Sequence, residues 1–456
     1  MPRRTGIVAA ACATVLAAAS PGSGQAPGPA PPGAAPGSPF ATRVALPNGL
    51  VVLVAERPGI PMVSVRVVVE AGAAYDPADR AGLAALTARL LTRGSGARTA
   101  PEVDRAIEFV GGSLEAEAGR DAAELTLTVL RKDLELGLDL LADALLRPAF
   151  PDAELDRQRE ETRARIRRLE EDPAMVAAQA LRRLAFPAHP YGRPVEGTEA
   201  SLAAIGRDDV VAFHRTHYRP DRTVVAVAGD VTAADVRAAL ASRLGGWASP
   251  APPPAVPGRA AVATPSRAEA IQRDLAQATI MLGQATVGRD HPDYYPLVVA
   301  AQLLGGGATS RLYTHVREER GLAYSVYALY APARYGGYFR VELQCETARV
   351  REALALVRDE LVRLRRERVD DGEVARARAF LVGSFPLRMS TAAEVTDLLA
   401  AIERFDLGLD YPARYRRAIG AVTADDVARA VRAHWDPDAM SLVVVGNVQD
   451  AGIGRP

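Results

Sequence analysis

Apolar residues along this chain keep two different periods. Val63, Val65, Val67 and Val69 occupy every second position, and Leu125, Leu127 and Val129 do the same. A period of two sends side chains to alternate faces, so each run predicts a strand with one buried face. Leu83, Leu86, Leu90 and Leu91 recur instead at helical spacing, as do Leu134, Leu138, Leu141 and Leu145. Each of these sets predicts a helix with one apolar stripe. Between Val44 and Val54, Pro47-Asn48-Gly49 separates two apolar arms, the signal of a tight hairpin turn. Paired strands with helices between them predict antiparallel-rich sheets with helices packed on one face, an α+β class.

Two breaker-rich stretches punctuate this pattern. Residues 20–39, SPGSGQAPGPAPPGAAPGSP, and 248–265, ASPAPPPAVPGRAAVATP, have no means of building a core. The first reads as a tether and the second as a linker between segments 40–247 and 266–449. Those segments are related. Residues 204–231 align without a gap on 421–448, which brings His217 onto His434, Pro220 onto Pro437, Asp221 onto Asp438 and Gly229 onto Gly446. Upstream, Glu154-Leu-Asp-Arg pairs with Glu373-Val-Ala-Arg, and Gly112 pairs with Gly321. Three blocks in the same order argue for a duplicated unit. The expectation is two homologous α/β lobes related by a pseudo-twofold.

Composition adds exclusions. The chain has 456 residues, room for two to four domains of roughly 100–200 residues each. Basic and acidic residues number 55 each, so no excess charge exists to neutralise a phosphate backbone, and nucleic acid is not an expected partner. Lys132 is the single lysine; the arginine bias runs through the whole chain and carries no functional signal. Arg3 and Arg4 precede a small-apolar run, Gly6 to Ala19, that ends in three alanines before Ser20-Pro21. This describes a secretory signal peptide over 1–19 and predicts an exported, periplasmic or extracytoplasmic protein. The run is shorter than the about 20 residues of a bilayer span, and no later stretch supplies a transmembrane segment. Too few apolar residues precede Cys12 for it to serve as a lipid anchor. Cys345, the one other cysteine, cannot form a disulfide within the mature chain.

A search for chemistry finds no complete active site. The six histidines, His189, His214, His217, His291, His315 and His434, contain no His-x-x-Glu-His arrangement or its inverse. His217 has a duplicate in His434 before the same Pro-Asp pair, which favours a structural role. No cysteine pair offers a thiolate site. No Gly-x-Ser-x-Gly elbow is present, and the Gly305-Gly306-Gly307 loop lacks the Gly-Lys-Ser/Thr of a phosphate loop.

Residues 303–328, LLGGGATSRLYTHVREERGLAYSVYA, resemble the second domain of the M16 (pitrilysin, insulinase, mitochondrial processing peptidase) family. LPNGL at 46–50, GLA at 82–84, HPYGRPVEGT at 189–198 and HYRPDRTVVAVAGDV at 217–231 carry the resemblance across 40–448. In active members the GLA stretch continues as His-x-x-Glu-His, whose histidines hold zinc and whose glutamate is the base for the metal-bound water. A further glutamate ligand follows about 76 residues on in such members. The matching positions here are Ala85, Ala88, Arg89 and Arg165. Both imidazoles, the base and the third ligand are replaced, and arginine cannot deprotonate to relieve repulsion from a dication. The resemblance therefore implies no metal site and no catalytic residue of its own in this chain. Read alone, Arg89 and Arg165 are solvated helix charges or partners of nearby acids, with anion recognition the alternative.

The other half of the family's apparatus looks retained. The resemblance assigns Arg317 and Tyr324, in VREERGLAY, to orienting a substrate backbone and stabilising charge at the scissile carbonyl. Taken without it, they read as a helix-surface charge and a strand aromatic. Gly305, Gly306 and Gly307 would let a peptide backbone approach closely, or simply loosen their loop. The implied role is a substrate-binding subunit that pairs with a separate M16 chain bearing His-x-x-Glu-His and the zinc, acting on peptides. The alternative is a scaffold of the same fold, like the core subunits of the respiratory bc1 complex.

Overall fold

Each alternating segment read above is a strand. The computed structural model describes residues 40–449 apart from 97, 250, 251, 263 and 264. The expected leader (1–19) and tether (20–39) lie outside the described residues. The hairpin around Asn48 joins β1 (Thr42–Ala45) to β2 (Val51–Glu56), antiparallel with Val44 opposite Val52. β3 (Met62–Val69) pairs antiparallel with β5 (Ala123–Leu130), which sets Val63 against Val129 and Val65 against Leu127. β4 (Ser113–Ala118) and β6 (Thr223–Gly229) complete a six-stranded sheet of order β1-β2-β6-β3-β5-β4. A second sheet is built from β7 (Ala268–Gln272), β8 (Gln277–Thr286), β9 (Ala323–Pro332), β10 (Gly337–Glu346) and β11 (Ser441–Gly446). Its order is β7-β11-β8-β10-β9. Leaving β1 aside, the two orders correspond strand for strand, and each sheet has one parallel pair, β2–β6 and β7–β11.

The helices of the first lobe are α1 (Leu83–Leu90), α2 (Ala100–Phe109), α3 (Leu134–Leu146) and α4 (Asp152–Glu171), then α5 (Pro173–Ala185), α6 (Glu199–Ala204), α7 (Arg207–His217) and α8 (Ala233–Leu244). Those of the second are α9 (Tyr294–Gly305), α10 (Val350–Arg366), α11 (Asp371–Ser384), α12 (Ala392–Arg404), α13 (Tyr411–Ala421) and α14 (Ala424–His434). The longest block of the internal repeat is thus one helix and the strand after it, α7–β6 and α14–β11. Its paired glycines have a physical reason. Gly229 and Gly446 end their strands at φ 144° and 156°. A side chain at Gly229 would sit 2.2 Å from the Met62 carbonyl oxygen, and one at Gly446 would sit 2.9 Å from the Ala278 Cα. Neither place admits a Cβ.

The apolar stripes meet the apolar strand faces as patterned. Val63, Val65, Val67, Leu125 and Leu127 share one buried cluster with Leu83, Leu86, Leu90, Leu138 and Leu141. The opposite face of each sheet holds what local periodicity did not predict. α12, from the second lobe, lies on β6 and β3 of the first sheet; α5, from the first lobe, lies on β8 and β11 of the second. Val395 and Leu399 pack on Leu53, Ala55, Val68, Ala226 and Ala228. Leu181 and Ala177 pack on Met281, Ala285, Val443 and Val445. The alanines let helix and sheet approach closely, and the exchange makes each lobe's second core depend on the other. No helix among the described residues is long and apolar enough to cross a membrane.

Candidate functional site

The segment matching the family's zinc helix is α1. Gly82 begins it in the left-handed region at φ 96°. Asp76 caps it, accepting from the Gly82 and Ala84 N–H groups at 2.8 Å each. Burial pushes the Asp76 carboxyl up to about 7 against the pull of those two bonds. Ala85 and Ala88 are wholly buried, so their methyl groups belong to packing. Arg89 follows them and turns to an acid that the sequence reading did not single out. Its Nη2 donates to Glu196 Oε1 at 2.6 Å and its Nη1 to Thr162 Oγ1 at 3.2 Å. Arg165, on α4, donates to the same Glu196 oxygen at 3.4 Å. One carboxylate therefore serves both guanidinium groups, which is the pairing reading of Arg89 and Arg165. Glu196 lies within the HPYGRPVEGT stretch, so the signal was an acid in a loop whose fold contacts could not be read locally.

Arg317 and Tyr324 come together. Arg317 lies in a π-helical turn, Tyr313–Glu318, and Tyr324 is the second residue of the edge strand β9. The guanidinium carbon sits 4.8 Å from the Tyr313 ring centre and 5.2 Å from that of Tyr324. A planar cation over two aromatic rings is held by its electrostatics without spending its N–H donors. Tyr324 is 78% exposed, so its phenol points to solvent rather than into a core. Tyr327 and Leu329 continue the exposed row along β9. Of the three glycines, Gly305 closes α9 against β9: a Cβ there would lie 2.3 Å from the Ala328 nitrogen. A Cβ on Gly306 would strike the Gln302 side chain at 2.4 Å, whereas one on Gly307 would meet nothing closer than 3.8 Å. The chain itself accounts for glycine at the first two positions, and open space remains only at Gly307.

Sequence spacing alone does not bring His291, Asp293 and His434 together, but the fold does. Their ligand-type atoms lie within 4.8 Å of one another, the one such cluster among the described residues. His434 Nε2 is 2.8 Å from one Asp293 oxygen, and Arg429 donates to the other at 2.6 Å. The Asp293 N–H donates to His291 Nδ1 at 3.0 Å. Against partial burial, the bonds from Arg429 and His434 hold the Asp293 carboxyl below the usual range. Burial and the nearby His434 hold His291 below its own. With a guanidinium already on the carboxylate, the cluster suits an ion network. It ties the start of α9 to the end of α14, where the helix dipoles favour an anion and a cation respectively.

Comparison with known proteins places this geometry. Residues 51–199 match the family described as Insulinase (Peptidase family M16), and residues 204–381 match the Peptidase M16 inactive domain. An uncharacterised zinc protease of Streptomyces coelicolor is 30% identical over 422 residues, covering 91% of each chain. The chain belongs to peptidase family M16. Another M16 relative by likeness, an uncharacterised zinc protease of Mycobacterium leprae, is 34% identical over 351 residues, 76% of this chain and 78% of its own. Among solved structures, a peptidase M16 inactive domain from Pseudomonas fluorescens matches with a TM-score of 0.84 at 27% identity, over 89% of this chain and 97% of that one. A protease from Helicobacter pylori shares the fold with a TM-score of 0.82 at 19% identity, covering 90% and 99%.

The zinc that the M16 family implies can be tested against the donor set. Two alanines offer no lone pair, and the arginines at the other two positions are cations bound to Glu196. Zinc wants four nitrogen, sulfur or oxygen ligands, commonly three from protein with one open position. The matched residues do not fit the ion.

Proposed function

We propose that this chain is the non-catalytic, substrate-binding subunit of a two-chain M16 metallopeptidase acting on peptides outside the cytoplasm. The partner would be a separate M16 subunit carrying His-x-x-Glu-His, which supplies metal and base. One contrast supports the reading above all. The zinc positions are filled by packed alanines and by arginines paired on Glu196, while half-buried Arg317 lies over Tyr324, whose side chain is open to solvent. Guanidinium and phenol donors aimed at a carbonyl oxygen can stabilise developing negative charge without a metal of their own. The exposed edge of β9 offers unpaired backbone groups for an extended peptide, with Tyr324, Tyr327 and Leu329 beside it. Backbone pairing of that kind gives affinity with little sequence preference.

The test is peptide hydrolysis by the pure chain, by its copurified M16 partner, and by the two mixed. The expected result is no turnover by this chain and turnover by the mixture above that of the partner alone. Full activity of the isolated chain would end the proposal. Copurification with a large unrelated complex, and no effect on any peptidase, would instead favour a scaffold.

A further inference from the structure

A second group of arginines, far in sequence from Arg317, lacks the acids that arginines usually find. Arg120 sits in the tight turn between β4 and β5. Its backbone is pinned: the Gly119 N–H donates to the Ala122 carbonyl at 2.8 Å, and the Ala74 N–H donates to the Arg120 carbonyl at 2.8 Å. A Cβ at Gly72 would fall 2.5 Å from that same Arg120 oxygen, so the neighbouring strand end is clamped against the turn. Arg182 projects from α5, one residue after the buried Leu181. Its guanidinium carbon stands 4.4 Å from the ring centre of Tyr338, on β10. Tyr338 is 2% exposed, and its buried hydroxyl has no hydrogen-bond partner. Arg182 thus lies over a phenol whose hydroxyl is unsatisfied, and Arg120 lies close enough for the Arg182 charge to act on it.

The local charge is unbalanced. Burial and the Arg182 cation hold Arg120 below its ordinary range, and burial and Arg340 act likewise on Arg182. The one hydrogen bond from Arg120 goes to the Arg193 carbonyl at 3.2 Å, and neither Arg120 nor Arg182 has a carboxylate within ion-pair distance among the described residues. The nearby acids are engaged elsewhere. Asp121 accepts from the Tyr191 hydroxyl and the Arg334 N–H, and Glu342 pairs with Arg340 at 3.1 Å. Guanidinium groups do not shed their protons to escape this, and desolvated cations without a counter-ion are costly. Arg120 and Arg182 are only half-buried, so an anion can reach them.

We propose that Arg120, Arg182 and Tyr338 form an oxyanion-binding site, which takes a carboxylate or phosphate group through charge-assisted bonds from the two forks and one bond from the phenol. The site's existence does not rest on the peptidase reading. Its natural ligand has two chemical sources, the carboxylate of a bound peptide or free phosphate. The first would sit naturally, because β10 runs from Tyr338 through Arg340 and Glu342 to Gln344 opposite Ser325, next to Tyr324. At about 3.4 Å per residue that path is roughly 20 Å long, the span of an extended peptide of about six residues.

Two measurements on the full chain test the site. The first is the melting temperature with and without inorganic phosphate. The second is the affinity of one unstructured peptide made as a free acid and as a C-terminal amide. Phosphate is expected to raise the melting temperature of the wild type by several degrees. The shift should vanish in Arg182→Gln and Arg120→Gln and shrink in Tyr338→Phe. Arg182→Gln should melt no lower than wild type without phosphate, since it removes one of two repelling cations. If a peptide carboxylate is the ligand, the free acid will bind at least about tenfold tighter than the amide, and Arg182→Gln will erase the difference. Equal binding of the two peptides, with the phosphate shift intact, assigns the site to free phosphate. A peptide that does not bind at all counts against the peptidase-subunit reading and leaves the phosphate result to decide the site. The same phosphate response in wild type and both glutamine variants, with no free-acid preference, overturns the proposal.

Discussion

The Arg317 guanidinium lies against the Tyr324 ring, 5.2 Å from guanidinium carbon to ring centre, and against the Tyr313 ring at 4.8 Å. Seven positions apart, the two residues meet because the π-helical turn and the start of β9 are joined by only four residues. The contact holds the cation beside a tyrosine that is open to solvent.

That separation of roles can be measured. Tyr324→Phe keeps the ring that holds Arg317 and removes only the hydroxyl. In the proposed two-chain peptidase it should lower kcat, by up to on the order of 100-fold if the phenol faces the reacting carbonyl, with little change in KM. Arg317→Ala removes both alignment and charge and should affect kcat and KM together. Since Tyr324 is 78% exposed, Tyr324→Phe should not alter stability by more than about 0.5 kcal/mol. Unchanged kinetics in both variants would leave the pair without a role in the reaction.

Glu196 joins the two arginines at the positions that match the family's zinc ligands. Among the described residues it is the single acid paired with Arg89, whose side chain is only 10% exposed, and with Arg165. Glu196→Gln should strand a nearly buried cation and destabilise the chain by about 2 kcal/mol, between the values for exposed and fully buried pairs. Adding Arg89→Met should recover much of the loss, because the cation leaves with its partner. Urea unfolding of the single and double variants gives both numbers, and an additive double variant would contradict the pairing.

The exchange of α5 and α12 makes a prediction about cooperativity. Leu399 is fully buried between α12 and a sheet of the other lobe. Leu399→Ala should cost about 2–5 kcal/mol, as large-to-small core changes do. The loss should appear in one transition seen equally by probes in both lobes. Residues 40–247 expressed alone would expose Leu53, Val68 and their alanine neighbours, and should bind a hydrophobic dye until residues 266–449 are added. Two independent transitions would show that the lobes fold separately.

How far such features could be read from the chain depends on the range of the interaction. Val63 to Val69 declare a strand because alternation is local, and the α7–β6 repeat is legible because a duplicated sequence folds twice. Leu181 and Leu399 also announce apolar helix faces, yet nothing in a helix's periodicity says which sheet it will cover. The Arg317–Tyr324 contact was visible only through family resemblance, since a cation and an aromatic seven residues apart have no intrinsic reason to meet. Glu196 and the Arg120–Arg182–Tyr338 group were invisible for a related reason. Their members lie 31 to 218 residues apart, and the decisive fact in each is which charge lacks or shares a partner after folding.

Buried His217 and half-buried His214 give the last prediction, and its sign is definite. His217 is packed between Phe213 and Tyr75, at 4.3 and 5.2 Å between ring centres, with its Nδ1 unsatisfied. Burial, aided by the Arg222 charge, pushes it down to about 4; burial likewise pushes His214 down to about 4 despite its bond to the Leu145 carbonyl. An unfolded histidine titrates near about 6.5. Between these values the unfolded chain binds protons that the folded chain refuses, so stability rises with pH. The contribution is complete above about 6.5 and is lost as the pH falls toward 4, by on the order of 3 kcal/mol for His217. His217→Phe preserves a ring in the same slot and removes the proton site. Its stability should therefore fall less steeply than that of the wild type from pH 6.5 to 4, with the two converging toward parallel curves above pH 7. Parallel curves across the whole range would mean that His217 accepts its proton without leaving the folded state.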